Sequence, residues 1–340
     1  MYTLFRFLQI LLFSIFLQSC HICGQIPQND IIKGIKWGIE EKYDAAISLF
    51  AEYAIHNPYD PAPHFYLATI WQSKCMDFET HVWCESFYRE IDTTLTLCDQ
   101  RLVQQPLDIA TQFYRASALA YKSFQIAREG KYLKGLQLAL QAIKRLDAIV
   151  EQDSSFYDAY LGIGSYLYWR SYLTRHFSWL PFFHDSRDTG IALIQKSFEL
   201  GTISRWAALS NLAWIYIQEE RYEDAIHCAQ TGLEAFPNSR FFLWPAGDAY
   251  FLHGDFDDAQ EIYRVLLQSV IAEKFNNRYN ETVLHLKLAF CAFELGNSAV
   301  ALYHAQRVCE IIPDESVKKR LKEKYKDANT LIAKIKRISE

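Results

Sequence analysis

An all-α solenoid is the fold class that the sequence predicts, and three observations carry the prediction. A motif of aromatic, small residue and proline recurs, a 34-residue step relates several of its positions, and the segments between turn residues each suit one short helix. "ERYEDAIHCAQTGLEAFP" carries Tyr222, Ala225, Ala229 and Pro237, and "EKYDAAISLFAEYAIHNP" repeats it with Tyr43, Ala46, Phe50 and Pro58. "GDFDDAQEIYRVLL" gives Gly254, Phe256, Ala259 and Tyr263; "GNSAVALYHAQRVCEIIP" gives Gly296, Ala301, Ala305 and Pro313. A step of 34 residues joins Ala213 to Gly247, Ala225 to Ala259, Tyr222 to Phe256, Tyr216 to Tyr250 and Gly34 to Ala68.

Physical chemistry explains the spacing. Small residues at Ala213, Ala225, Gly247 and Ala259 let two helices of a hairpin approach closely, since enlarging a packed small site costs roughly 1–3 kcal/mol. Tyr216, Tyr222, Tyr250 and Phe256 fill the space that remains. Helices of about 12–15 residues are marginal alone, so each hairpin needs neighbours to bury its open face. Pro58, Pro237 and Pro313 stand where a helix should stop, because proline cannot donate the next backbone bond.

Taken in order, residues 25–152 read as degenerate helical repeats, in which the unit from Leu107 to Gln152 keeps Gly130, Tyr132 and Gly135 in phase while its second helix runs on without a proline. Residues 153–313 carry the regular repeats. An aromatic insertion, "RSYLTRHFSWLPFFHDSRD" at 170–188, interrupts them, and repeat insertions map to loops on a rim of the solenoid. "IAEKFNNRYNETV" has the Asn-rich character of an exposed connection. Residues 314–340 place Val317, Leu321, Tyr325, Ala328, Leu331, Ile335 and Ile338 on one helical stripe and read as a C-terminal capping helix.

Composition bounds the function. Half of the 340 residues are hydrophobic, enough for an extended core, and a net charge of −5 argues against a nucleic-acid partner, which needs a basic stripe. No phosphate-binding glycine loop, nucleophile elbow or zinc-protease helix is present, and no cofactor or metal is expected. The best enzyme candidate is the insertion, where His176, His184, Asp185, Arg187 and Asp188 gather beside Trp179 and Phe182; loops collect such residues without chemistry, so packing or partner contact is the stronger reading.

Residues 1–19 read as a signal peptide: Arg6 precedes an apolar run from Phe7 to Leu17, too short to span a membrane as a helix. "LQSC", ending at Cys20, resembles a bacterial lipoprotein signal, although Gln18 is larger than that pattern prefers. The resemblance implies lipidation of Cys20 and a periplasmic or outer-membrane-associated lipoprotein of the cell envelope. The alternatives are ordinary cleavage after Gly24, giving a secreted soluble protein, and an uncleaved anchor. Export permits disulfides. Cys75 and Cys84 flank a helical turn and form the best candidate pair, whereas Cys228, Cys291 and Cys309 occupy core positions of their helices.

"LSNLAWIY", "LWPAGDAY" and "YLGIGSYL" supply the large, small and aromatic residues of a repeat's first helix: Leu209, Leu212, Ala213 and Tyr216; Leu243, Ala246, Gly247 and Tyr250; Tyr160, Ile163, Gly164 and Leu167. On these residues the chain resembles the tetratricopeptide repeat family. The resemblance implies a right-handed superhelix whose first helices line a concave groove that binds proteins or peptides. Carried onto this sequence, the groove positions are Tyr168, Trp169, Asn211, Trp214, Gln218, Trp244, Asp248, Phe251, Lys287 and Phe290, with Glu294 beyond them. The Lys/Asn/Arg set with which some members clamp a terminal carboxylate is not reproduced. The aromatic residues point instead to an apolar segment as partner, with interhelical packing as the competing explanation. A scaffold or assembly factor is the leading function. A carrier for a lipid or another apolar ligand is the rival, and an enzyme built on 170–188 ranks below both.

Overall fold

The computed structural model describes residues 26–177 and 184–339, and every regular element among them is helical. Helices follow one another as antiparallel hairpins: α1 (Gln28–Ile39) with α2 (Tyr43–His56), α3 (Pro61–Asp77) with α4 (Cys84–Gln104), and α5 (Ile109–Arg128) with α6 (Tyr132–Gln152). Next come α7 (Ala159–Thr174) with α8 (Arg187–Leu200), α9 (Arg205–Gln218) with α10 (Tyr222–Ala235), α11 (Arg240–His253) with α12 (Phe256–Ala272), and α13 (Tyr279–Glu294) with α14 (Ser298–Glu310). A short α15 (Glu315–Lys318) and the closing α16 (Lys322–Ser339) complete the chain.

Local chemistry sets the boundaries. Asp60 accepts from the Ala62 N–H ahead of a proline at the first position of α3, and Asn297 accepts from the Val300 N–H at the start of α14. The prolines at 58, 237 and 313 each follow a helix end by two or three residues. The turn from first to second helix needs one residue in the left-handed region. Gly130, Gly254 and Gly296 fill it in three hairpins, with φ of 82°, 100° and 75°, while Glu41, Glu79 and Glu220 take the same place in three others at 56°, 50° and 57°. A side chain there costs roughly 1 kcal/mol, which the tertiary packing offsets.

The small residues do what the repeat spacing demands. Ala46, Ala213, Ala225 and Ala259 are fully buried, and a methyl group on Gly247 would meet Tyr263 Cε1 at 2.6 Å. Backbone meets backbone between α7 and α8, where a Cβ on Gly164 would lie 2.5 Å from the Gly190 carbonyl oxygen and one on Gly190 would lie 2.8 Å from the Tyr168 nitrogen. The cap packs Leu331 and Ile335 against Ala289, Ala292, Ala301 and Ala305, closing the last hairpin; Ile338, on the same predicted stripe, projects into solvent.

The solenoid curls until its two halves touch. Ile39, at the end of α1, belongs to the same core cluster as Leu209, Leu212 and Phe242, and Ile203 packs into the N-terminal cluster built around Phe50, Phe65 and Tyr66. Ser239 donates to the Ile39 carbonyl (2.5 Å), Asn280 to the Asp77 carbonyl (2.6 Å) and Asn277 to the Phe78 carbonyl (2.8 Å). At the centre of this seam Arg240 forms ion pairs with Asp77 and Glu273, and Phe78 and Trp83 pack on Phe275. Arg320, just before the cap helix, reaches Glu79.

Three expectations change here. The 271–283 connection is only partly exposed: α12 extends to Ala272, the buried Asn277 and Asn280 donate their amides to carbonyls of the opposing turn, and the buried Glu281 accepts from Asn276 and Arg278 beside it. The 170–188 insertion begins later than its composition suggests, because α7 continues to Thr174 and passes into a 3-10 turn at Arg175–Phe177. Cys309 is exposed, in contrast to the buried Cys228 and Cys291, and its Sγ lies 3.7 Å from Asn329 Oδ1 at the rim of the contact with the cap. Cys20 and its apolar leader, like Trp179 and Phe182, lie outside the described residues.

Candidate functional site

The sequence-derived groove residues sit on α7, α9, α11 and α13, the first helices of four successive hairpins. Tyr168 is fully buried and offers a partner no surface. Its hydroxyl donates to Glu219 Oε1 (2.8 Å), and burial together with that carboxylate raises its pKa. Glu219 also receives two hydrogen bonds from Arg187 Nη1, at 3.0 and 2.8 Å, and Arg187 forks onto Asp185. The Arg187 hydrogen bond holds the Asp185 carboxyl below the usual carboxylate range. This chain of charges ties α7, the start of α8 and the end of α9 into one rigid unit.

Trp169 rides on that unit. Its ring meets Tyr168 edge-on at 5.0 Å and Tyr172 at 5.7 Å, yet 36% of the residue stays exposed; Arg175 lies 4.0 Å above the Tyr172 ring. Trp214 on α9 is exposed by 39%, and Gln218 one turn further along is exposed as well. Asn211, on the same helix, is half-buried, and its Oδ1 has no hydrogen-bond partner among the described residues. Trp169, Trp214 and Gln218 form the exposed part of this set, while the Asn211 Oδ1 is buried.

The remaining predicted positions are more engaged. Trp244 and Phe251 pack against the cluster of Leu243, Tyr263 and Leu284 while keeping an exposed edge, and Phe251 meets Phe256 edge-on. Asp248 accepts from the Tyr263 hydroxyl and from Lys287 Nζ, both at 2.8 Å, so the two charged residues neutralise each other. Phe290 is half-buried between two C-terminal clusters, and Glu294 is exposed at the end of α13.

The sequence reading missed two features of this surface. One is the Glu219–Arg187 bridge; its only sequence signal was the acidic pair closing α9 and the basic residue opening α8. The other is the placement of α1, whose Ile35 and Ile39 pack into the α9–α11 core and so cover part of the chain's own inner surface. Hydrophobic pattern marks α1 as amphipathic but cannot name the helices it covers.

Chemistry elsewhere is sparse. His176 and His184 are exposed, and Asp185 and Arg187 spend their charge on each other and on Glu219. Among the described residues no three His, Cys, Asp or Glu side chains gather as metal ligands, and no helix is long and apolar enough to cross a membrane. Cys75 and Cys84 face each other across the α3–α4 turn with sulfurs 3.8 Å apart, and burial pushes the Cys75 thiol up to about 12.

The tetratricopeptide-repeat family model matches residues 210–273, spanning α9 to α12. No curated protein matches the chain. Among solved structures, PilW, a widely conserved type IV pilus biogenesis factor, aligns at 14% identity over 75% of this chain and 98% of its own, with a TM-score of 0.49. A thermophilic tetratricopeptide-repeat protein of Thermus thermophilus aligns at 17% identity over 66% of this chain and 98% of its own, with a TM-score of 0.43. The C-terminal part of a repeat protein from Cytophaga hutchinsonii aligns at 16% identity over 86% and 98%, also at 0.43. The family match falls on the hairpins whose small and aromatic residues keep the 34-residue step, and residues 210–273 match the tetratricopeptide repeat.

Proposed function

We propose that the chain is a non-catalytic scaffold that binds a protein or peptide on the inner helix face between α7 and α11. The observation that supports this reading is the exposure of Trp169 and Trp214 on helices that the Tyr168–Glu219–Arg187 network holds rigid. Large rings fixed in place lose little entropy on binding and supply much of an interface's energy. Gln218 stands beside them as a polar contact that fixes register. The partner is an apolar segment, extended or helical, since Asp248 and Lys287 already neutralise each other and leave no charge clamp. We place the scaffold at the cell envelope, held by a lipid on Cys20.

Crosslinking capture from intact cells tests the binding reading, comparing the native protein with a Trp169→Ala/Trp214→Ala variant of equal thermal stability. A protein held by the native chain and lost by the variant supports it; equal capture by both overturns it. Recovery of a lipid in place of a protein would favour a carrier. Cys20→Ala should release the chain from membranes, and unchanged acyl labelling would remove the anchor.

A further inference from the structure

Packing leaves four large apolar side chains in solvent on the first nine residues of α6: Tyr132 at 73% exposure, Leu133 at 81%, Leu136 at 52% and Leu140 at 48%. Elsewhere among the described residues, exposed large apolar side chains occur singly or in pairs. Gly135, Ala142, Leu146 and Ile149 bury the opposite side of the helix. At 3.6 residues per turn, the three leucines fall within an arc of about 60°. α6 is the second helix of its hairpin, so this arc lies away from the face that carries Trp169 and Trp214.

Charge accompanies the leucines. Between Lys131 and Leu146 the helix carries Lys131, Lys134, Lys144 and Arg145 and no acidic residue, in a chain of net charge −5. Lys131 pairs with Glu129, whereas Lys134 and Lys144 form no ion pair with another described residue. Lys144 borders the leucine arc and Lys134 lies beyond it across Gln137 and Gln141. The acidic residues Asp147 and Glu151 fall on the same arc as the leucines but only in the last two turns, which limits the candidate surface to the N-terminal half of α6. A leucine strip with one free lysine at its edge and a second further round the same side matches the cross-section of an interfacial helix, whose apolar face enters the acyl boundary while its ammonium groups meet anionic headgroups.

We propose that the N-terminal half of α6 docks on an anionic phospholipid surface through Leu133, Leu136 and Leu140, with Lys134 and Lys144 contacting the headgroup phosphates. The docking requires neither the inner-face binding proposed above nor a lipid on Cys20. It turns the outer side of the solenoid toward the bilayer and leaves Trp169 and Trp214 free.

The test is vesicle flotation of the full chain carrying Cys20→Ala, so that no acyl group contributes. Phosphatidylcholine vesicles are compared with vesicles that also contain phosphatidylglycerol. The chain should float with the anionic vesicles, and the bound fraction should fall about tenfold both in Leu133→Gln/Leu136→Gln/Leu140→Gln and in Lys134→Glu/Lys144→Glu. Hydrogen exchange of the 132–141 amides should slow when anionic vesicles are added. Equal flotation of all three proteins, or unchanged exchange in α6, overturns the proposal. So does a soluble native chain that self-associates through these leucines, or a leucine variant that melts well below the native chain, since either result would show the strip to be covered by protein.

Discussion

Arg240 reaches Asp77 across 163 residues of sequence through two hydrogen bonds, Nε to Oδ1 at 2.9 Å and Nη2 to Oδ2 at 2.6 Å. Both side chains are almost fully buried, at 4% and 9% exposure. The guanidinium also donates to Glu273 and Ser269 and lies over the Phe78 ring, so the turn of the second hairpin is clasped to the start of α11. Asp77→Ala should therefore cost about 3 kcal/mol, because it leaves a buried guanidinium with only Glu273 and Ser269 as side-chain partners rather than deleting a surface pair. Denaturant unfolding would measure the loss, and small-angle scattering should show a larger radius of gyration as the two ends separate. Native values in both measurements would mean that the apolar contacts close the seam alone.

Glu41 gives the seam a pH dependence. Burial raises its pKa from 4.5 to about 8, with Asp77 adding to the rise and Arg240 and the Phe241 N–H opposing it. Facing it from the other elements are Arg240, Asp77, Tyr43 and, through Arg240, Glu273. Between pH 4.5 and 8 the folded chain keeps a proton that the unfolded chain has released, so this group's contribution declines as pH rises through that window. Glu41→Gln keeps the acceptor for Phe241 and cannot ionise. The native thermal midpoint should fall relative to that variant as pH rises from about 4.5 to 8; parallel curves would show that Glu41 is ionised throughout.

Gly190 tests the backbone contact between α7 and α8. A methyl group there would lie 2.6 Å from the Gly164 carbonyl oxygen and 2.8 Å from the Tyr168 nitrogen, both backbone atoms that cannot swing away. Gly190→Ala should destabilise by roughly 1–3 kcal/mol despite the gain in helix propensity. It should also loosen Trp169, because α7 must shift, and a red shift of tryptophan emission would report it. Native stability would show that α8 can slide without cost.

Cys75 and Cys84 are close enough to bridge with a small side-chain adjustment, and the turn they enclose carries Phe78, Glu79 and Trp83 to the seam. Incubation with oxidised glutathione should form the bridge, with a loss of two hydrogens by mass and a stability gain of about 2 kcal/mol that reductant reverses. Cys75→Ser/Cys84→Ser should abolish the reductant sensitivity. A midpoint indifferent to reductant in the native chain would count against the pair.

How far the sequence could be read depended on whether a feature repeats. Helix spans, the small residues at Ala213, Ala225 and Ala259 and the cap stripe from Val317 to Ile335 all follow from local periodicity, which each hairpin restates. The left-handed turn position was visible where glycine holds it and hidden where Glu41, Glu79 and Glu220 do, because nothing local prefers glutamate there. Tyr168 and Trp169 looked equivalent as neighbours on one helix, but about 100° of rotation buries the first and exposes the second.

By itself, then, the sequence determined a stack of helical hairpins, because the spacing of small and aromatic residues acts between neighbours a few tens of residues apart. Only the tertiary structure decided that the stack curls until Arg240 meets Asp77, that α1 covers part of the inner surface, and that the leucines of α6 remain uncovered. Those outcomes depend on the small rotation between successive hairpins summed over the whole solenoid, a quantity that no single repeat encodes.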